Sequence, residues 1–448
     1  MTQDASDNTC SAVEVALDRN SLLSNPALGV ADMAARAGGV GFCKVLGHHI
    51  VSIADALVSA RIQYDRDKLF CRSRQQKQLN SMFGTGLLTE EGSTWSQLHD
   101  SVNNTFTRNN ISRYHSTIVE AIDTNIQTTG KPGQTLQVHL GHDTIGWSIG
   151  TISSVLLGQR LSNTQIGNVL EAYLDRQHHD SESSAGSQAR SPFARLLKRM
   201  QRISSKVEHL LATAVHEALQ QNPAERPNLL LDINSEIARE SRCPFSQPQH
   251  NDLVKTLFMA GIQTSSYALD WTLILLARHA EVWQQLARDV RPRLGHSKPN
   301  LDDLEALVLV QQVIKEVLRM RPVIHTIQKG ISQPCQLAGL EVHPGDTLNL
   351  SLFGIHNSNS YWADPEVFRP ERFASEIKPQ SFTPFGLGQH TCIGQHLAMH
   401  VLSTTLIRLV QQFDIVADAS LSMETESTFL LKPATDQIVS LQPIVARP

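Results

Sequence analysis

The six cysteines of the chain (Cys10, Cys43, Cys71, Cys243, Cys335 and Cys392) include no CxxC pair. Scattered singly, they indicate neither a zinc site nor a disulfide framework, and they fit a reducing compartment. Long apolar runs are also missing: stretches such as Trp271–Ala277 fall well short of the roughly 18–20 residues that span a bilayer, so no transmembrane anchor is expected. The opening residues, MTQDASDNTCSAVEVALDRN, have neither the basic leader nor the apolar core of a secretory signal. The expected location is therefore cytoplasmic. No long basic block occurs and the net charge is only −4, which gives no basis for binding a phosphate backbone and excludes nucleic acid as an expected partner. There is no internal repeat and no linker that would set off a second independent domain.

What is present is an ordinary globular composition, 41% hydrophobic and 18% charged, with enough apolar side chain for a sizeable core. The economical division is an N-terminal arm over residues 1–40, poor in periodicity, and one domain over 41–448. Residues Phe42–Ala60 read as strand, turn and strand, followed by a helix starting near Asp55. Apolar residues at three-to-four spacing predict helices over Leu136–Leu157, Thr164–Arg176, Phe193–Gln220, Asn251–His279, Glu281–Arg291 and Leu301–Met320. Between two of them, His178–Pro192 is rich in Ser, Gly and charge and is expected to be a mobile loop, part of an access lid.

The chemistry concentrates in TPFGLGQHTCIGQHLAM, residues Thr383–Met399, a turn-rich run that passes into an amphipathic helix with Cys392 at the junction. A thiolate is a good ligand for iron, and backbone N–H groups with the positive end of a helix stabilise its charge. Gly386 and Gly388 permit the tight hairpin that would aim those groups at sulfur, Gly394 has no side chain to hold a flat cofactor away, and Phe385 offers an aromatic wall. Most lone cysteines are inert buried thiols. Here FGxGxHxCxG is matched at every defined position.

The segment Phe385–Gly394 resembles the haem-binding loop of the cytochrome P450 family, and further segments follow in the family's order. Glu316 and Arg319 in KEVLRM form ExxR, which by itself is a weak signal because such pairs are usually solvated and contribute only a few tenths of a kcal/mol. With Arg372 in Pro370-Glu371-Arg372-Phe373 ahead of the cysteine loop, the resemblance implies a buried network that braces the proximal haem face. Ala260-Gly261-Ile262-Gln263-Thr264 resembles the family's AGxxT, in which Ala260 and Gly261 leave room for oxygen and Thr264 delivers protons. A mid-helix threonine can also bond back to the carbonyl four residues earlier. One departure stands out: Gln263 occupies a position where most members carry an acid, and a neutral amide cannot relay a proton by changing its own charge. By resemblance, the haem propionates are met by Trp95, His99, Lys329 and His390. Lysine and histidine give a single-point contact where the family's arginine gives a fork.

The implied fold is mainly α, a triangular helical prism with small β-sheets, the haem lying between the long distal helix and the proximal cysteine loop. The implied cofactor is haem b, iron protoporphyrin IX. The implied reaction inserts one oxygen atom of O2 into a lipophilic small molecule, such as a terpenoid or other secondary metabolite, because the matched pocket segments are aliphatic or small. They are the region after Met82, the flanks of the Ser-rich loop, Ala260–Thr264, Val323–Ile327 and Thr428–Leu430, with His325 and Gln263 as candidate polar contacts. No Gly-rich dinucleotide or flavin segment is left over, so a ferredoxin or flavodoxin with its reductase is the expected electron source. Two other readings stay open: a peroxide-driven or non-hydroxylating rearrangement on the same fold, motivated by Gln263, and a non-enzymatic haem-thiolate sensor.

Overall fold

The computed structural model describes residues 10–16, 18, 24–65, 68–174, 192–221, 227–239 and 247–444. The expected lid loop at 178–191 and Cys243 lie outside them. The chain divides into two compact units, residues 1–78, 315–392 and 425–432 in one and residues 79–314, 393–424 and 433–448 in the other.

The first unit is built on a six-stranded sheet. Its strands are β1 (Val13–Glu14), β2 (Val40–Val45), β3 (His48–Ile53), β4 (Phe70–Arg72), β5 (Thr326–Ile331) and β6 (Thr347–Ser351), in the spatial order β1-β2-β3-β6-β5-β4. The predicted strand–turn–strand is the β2–β3 hairpin, closed by Leu46 and Gly47, both at positive φ, as a two-residue hairpin turn requires. Asp55 then caps helix α1 (Ala56–Tyr64), its carboxylate accepting the N–H groups of Leu57 and Val58 at 3.0 and 2.9 Å. Val40, Val51, Ile53, Val58, Ile62, Ile331, Leu348 and Leu350 pack together as the core between sheet and helix. Part of the expected arm is ordered within this unit: Pro26–Arg36 is a helix with Ala27, Val30, Met33 and Ala34 buried.

The second unit is helical. It contains α2 (Gly92–Asn103), α3 (His115–Thr129), α4 (Asp143–Leu157), the 32-residue α5 (Gln247–Arg278) and α6 (Gln395–Gln412). Two predicted helices are interrupted. Residues Leu136–His139 form a strand paired antiparallel with Ile438–Pro443, and Gly141 at φ +75° breaks the chain before α4 begins. Leu301–Met320 is two helices, Leu301–Ala306 and Val308–Met320, parted at Leu307. α4 and α5 lie close because Gly261 faces Ile152: a Cβ there would sit 2.9 Å from the isoleucine Cδ1. That contact gives Gly261 a helix-packing reason for being small, beside the expected one of leaving room for oxygen. Among the described residues, no helix is long and apolar enough to cross a membrane.

Candidate haem-binding site

In the first unit, Thr383–Cys392 folds as a hairpin. Gly386 and Gly388 hold φ +75° and +69°, the Gly386 N–H donates to the Thr383 carbonyl (3.0 Å), and the Cys392 N–H donates to the Phe385 carbonyl (2.8 Å). The turn Gly388–His390 closes the tip, where the Thr391 hydroxyl donates to the Gly388 carbonyl at 2.7 Å. This geometry leaves Cys392 exposed, while Cys43 is buried in the sheet. An exposed sulfur at the end of a rigid loop is placed for a ligand rather than for packing.

The hairpin abuts one face of the sheet. A Cβ on Gly386 would lie 3.6 Å from Ile327 Cδ1, and Ile327 shares its face of β5 with Lys329. Directly opposite Lys329 in the antiparallel β4–β5 ladder stands Arg72. Strand pairing therefore sets two cationic side chains next to each other on one face of the sheet. Lys329 was named in the sequence by resemblance alone. Arg72 was not, since only strand pairing brings it to this position.

Beneath the hairpin, the structure joins Glu316, Arg319 and Arg372. Both Glu316 and Arg319 are fully buried. Arg319 grips the carboxylate through Nε (2.8 Å) and Nη2 (3.0 Å), and Arg372 adds Nε at 2.9 Å. Arg319 also donates to the carbonyls of His356 and Pro365, both at 2.7 Å, and its guanidinium lies 5.3 Å from the Trp362 ring centroid. Above the ExxR helix, the Leu431 N–H donates to the Val323 carbonyl at 2.8 Å, which brings the two expected pocket segments Val323–Ile327 and Thr428–Leu430 together. Between them His325 is buried, and burial pushes its pKa down to about 4. The imidazole is therefore neutral at physiological pH.

In the second unit, Ala260 is exposed on α5, and the Thr264 hydroxyl donates to its carbonyl at 2.7 Å, the back-bonded arrangement open to a mid-helix threonine. The Gln263 amide donates to the Tyr267 hydroxyl at 3.1 Å, one turn on. Sequence reading missed Tyr267, although its i+4 spacing from Gln263 was visible. On α2, Trp95 and His99 stack with centroids 4.7 Å apart; the Trp95 indole N–H donates to the Leu87 carbonyl (3.2 Å), and His99 Nδ1 lies 3.2 Å from Asp100. Gly394 caps α6, its carbonyl accepting the Ala398 N–H at 2.9 Å.

An exposed thiol on a glycine hairpin, with a cationic sheet face beside it, suits a flat, dianionic metal macrocycle. The family model described as "Cytochrome P450" matches residues 21–439. The chain belongs to the cytochrome P450 family, and its cofactor is haem. It is similar to human "Cytochrome P450 4X1", 30% identical over 226 residues that cover 49% of this chain and 44% of that protein. A second relative is "Cytochrome P450 71B6" of Arabidopsis thaliana, 30% identical over 204 residues, covering 44% and 41%. This chain thus spans under half the length of these relatives. Its fold matches the crystal structure of the "cytochrome P450DA heme domain" at a TM-score of 0.81, with 20% identity and 98% of each chain covered.

Proposed function

We propose that the chain is a haem-thiolate monooxygenase that inserts one oxygen atom of O2 into a lipophilic small molecule, with electrons from a separate ferredoxin or flavodoxin and its reductase. The observation that carries this reading is the exposed Cys392 thiol at the end of the Phe385–Cys392 hairpin, above a buried Glu316–Arg319–Arg372 network. When bound, haem supplies oxygen binding and, through thiolate donation, favours O–O cleavage.

The chain's own residues do the rest. Cys392 ligates iron as the thiolate. Lys329 and Arg72 on the sheet face would meet propionate charge, with His390 and His99 as further donors and Trp95 joining them only if its indole N–H leaves the Leu87 carbonyl, and Phe385, Gly386 and Gly394 would shape the proximal wall. Thr264 would release its hydroxyl from the Ala260 carbonyl to deliver a proton, and Ala260 would leave space beside it. Gln263 orders that region through its amide, which already holds the Tyr267 hydroxyl. His325, neutral and buried beside Thr428, offers one polar contact in an otherwise aliphatic substrate region.

The test is the absorption spectrum of the reduced protein with carbon monoxide, for wild type and Cys392→Ala. Thiolate ligation gives a strongly red-shifted Soret band that vanishes in the variant; a band indifferent to Cys392 overturns the reading. The neutral Gln263 favours a second reading, peroxide-driven oxidation. Product formed with hydrogen peroxide at a rate matching that with a reductase would support it.

A further inference from the structure

Two side chains from distant parts of the first unit reach the cysteine hairpin, and neither belongs to its motif. Gln63, in the last turn of α1, accepts the Leu387 N–H on Oε1 at 2.9 Å. Its own amide Nε2 donates to Ser59 Oγ at 3.1 Å, which fixes the orientation of the amide so that oxygen, and not nitrogen, faces the hairpin. Gln63 and Ser59 are both buried. The approach is close: a Cβ on Gly388 would lie 2.5 Å from the Gln63 carbonyl oxygen, so only glycine can seat there. At the other end of the loop, His356 accepts the Thr383 N–H on Nε2 at 2.9 Å. His356 is wholly buried, and burial lowers its pKa to about 3, so the ring is neutral and Nε2 remains an acceptor. The His356 carbonyl is also the acceptor for Arg319. The chain of bonds therefore runs from the ExxR arginine through His356 to the start of the hairpin, and from α1 through Gln63 to its middle.

We propose that Gln63, with His356 as the second anchor, is a positioning residue for the Cys392 thiolate, holding the hairpin seated so that sulfur keeps its charge and its aim. The proposal rests on the reading of Cys392 as the iron ligand. Inside the hairpin the bond from the Cys392 N–H to the Phe385 carbonyl ties the cysteine to the opposite strand. Leu387 lies between those two residues, and losing its acceptor would leave a part-buried N–H unsatisfied and free the tip to shift against α1. A neutral amide suits this place. A carboxylate would also accept the N–H, but it would bring negative charge toward an anionic sulfur.

The experiment uses the haem-loaded full chain and the variants Gln63→Leu and Gln63→Glu. The reduced carbon monoxide spectrum is followed over time in mild urea, alongside far-UV circular dichroism and total haem absorbance. Gln63→Leu is expected to lose the red-shifted band about fivefold faster than wild type, the factor that one lost hydrogen bond of ordinary strength supplies, with haem and helix content retained. Gln63→Glu is expected to restore the wild-type rate while lowering the reduction potential of the iron. His356→Leu repeats the comparison at the other anchor and is expected to lose the band faster than wild type too. Equal rates for Gln63→Leu and wild type overturn the proposal, as does a band lost only in step with helix content. A wild type with no red-shifted band overturns the reading of Cys392, and this proposal with it.

Discussion

Replacing Glu316 by glutamine changes charge and one donor while leaving volume nearly constant, which makes it a clean probe of the buried network. The carboxylate accepts four hydrogen bonds: Oε2 takes Arg319 Nε, and Oε1 takes Arg319 Nη2, Arg372 Nε and the Arg369 N–H. Glutamine keeps one oxygen. If that oxygen takes the Oε1 place, the new NH2 group meets Arg319 Nε–H head on; the opposite flip sets it against three donors. Either way, two guanidinium groups lose the anion they share, at a carboxylate that is fully buried with Arg319. Breaking a buried pair costs about 3–5 kcal/mol, a large share of the roughly 5–15 kcal/mol that holds a domain folded. At ~2–4 °C per kcal/mol, the melting temperature should fall by on the order of 10 °C. Thermal and urea melts of the haem-loaded protein, at low and high salt, read it directly. Because the network is buried, the loss should persist at high salt. Arg108–Glu305, an ion pair of the same 2.8 Å length but 69% and 66% exposed, is the control: Glu305→Gln should change stability by under ~1 kcal/mol. A Glu316→Gln shift no larger than the control's, or one erased by salt, refutes the reasoning.

Acid sensitivity should begin early. Burial holds His325 and His400 at pKa values of about 4, below the ordinary 6.5, so the fold binds fewer protons than the unfolded chain between those limits. Stability is full above pH 6.5 and falls as pH drops toward 4, by about 1.4 kcal/mol per pH unit for each group. His325→Gln should flatten the slope of urea midpoint against pH by one proton; an unchanged slope removes His325 from the account. Gly388→Ala and Gly47→Ala separate backbone strain from close approach. Both glycines have positive φ, but nothing lies near a Cβ on Gly47, so that change should cost about 1–2 kcal/mol. Gly388→Ala must also displace the Gln63 carbonyl and should cost roughly 3 kcal/mol or more, with loss of haem. Equal costs for the two would show that the hairpin can move.

What the sequence made legible was local. The Asp55 cap, the β2–β3 turn and the glycine hairpin are each written within about ten residues, and the structure places them as the local patterns imply, whereas the ExxR pair is buried as expected only once Arg372 is read with it. Arg72, Gln63 and His356 had no such signature, because their roles come from topology. Parallel pairing of β3 with β6 brings residues near 50 beside residues near 350, and with them α1 under a hairpin some 320 residues away. The split at Leu136–His139 was missed for a related reason. Leu136 and Val138 alternate with exposed Gln137 and His139 at the strand period, but a run of four residues is too short to stand against the longer helical pattern that follows until Ile438–Pro443 is available as a partner. Gly141, four residues before Ile145, was the readable sign of the break.

Thr264 is where fold and chemistry can be told apart. Its hydroxyl donates to the Ala260 carbonyl, a contact that adds little stability in a helix because that carbonyl also accepts the regular backbone bond. Thr264→Val keeps the β-branched shape and removes only the donor, so the melting temperature should move by no more than a degree or two, less than ~1 kcal/mol. If the hydroxyl passes protons to bound oxygen, product per electron consumed should fall severalfold and hydrogen peroxide should rise in its place, while electron uptake continues. A conservative Thr264→Ser should recover most of the product. Should Thr264→Val couple electrons to product as well as wild type, proton delivery must run elsewhere. Gln263 and the Tyr267 hydroxyl it holds would then be the next pair to change, beginning with Tyr267→Phe.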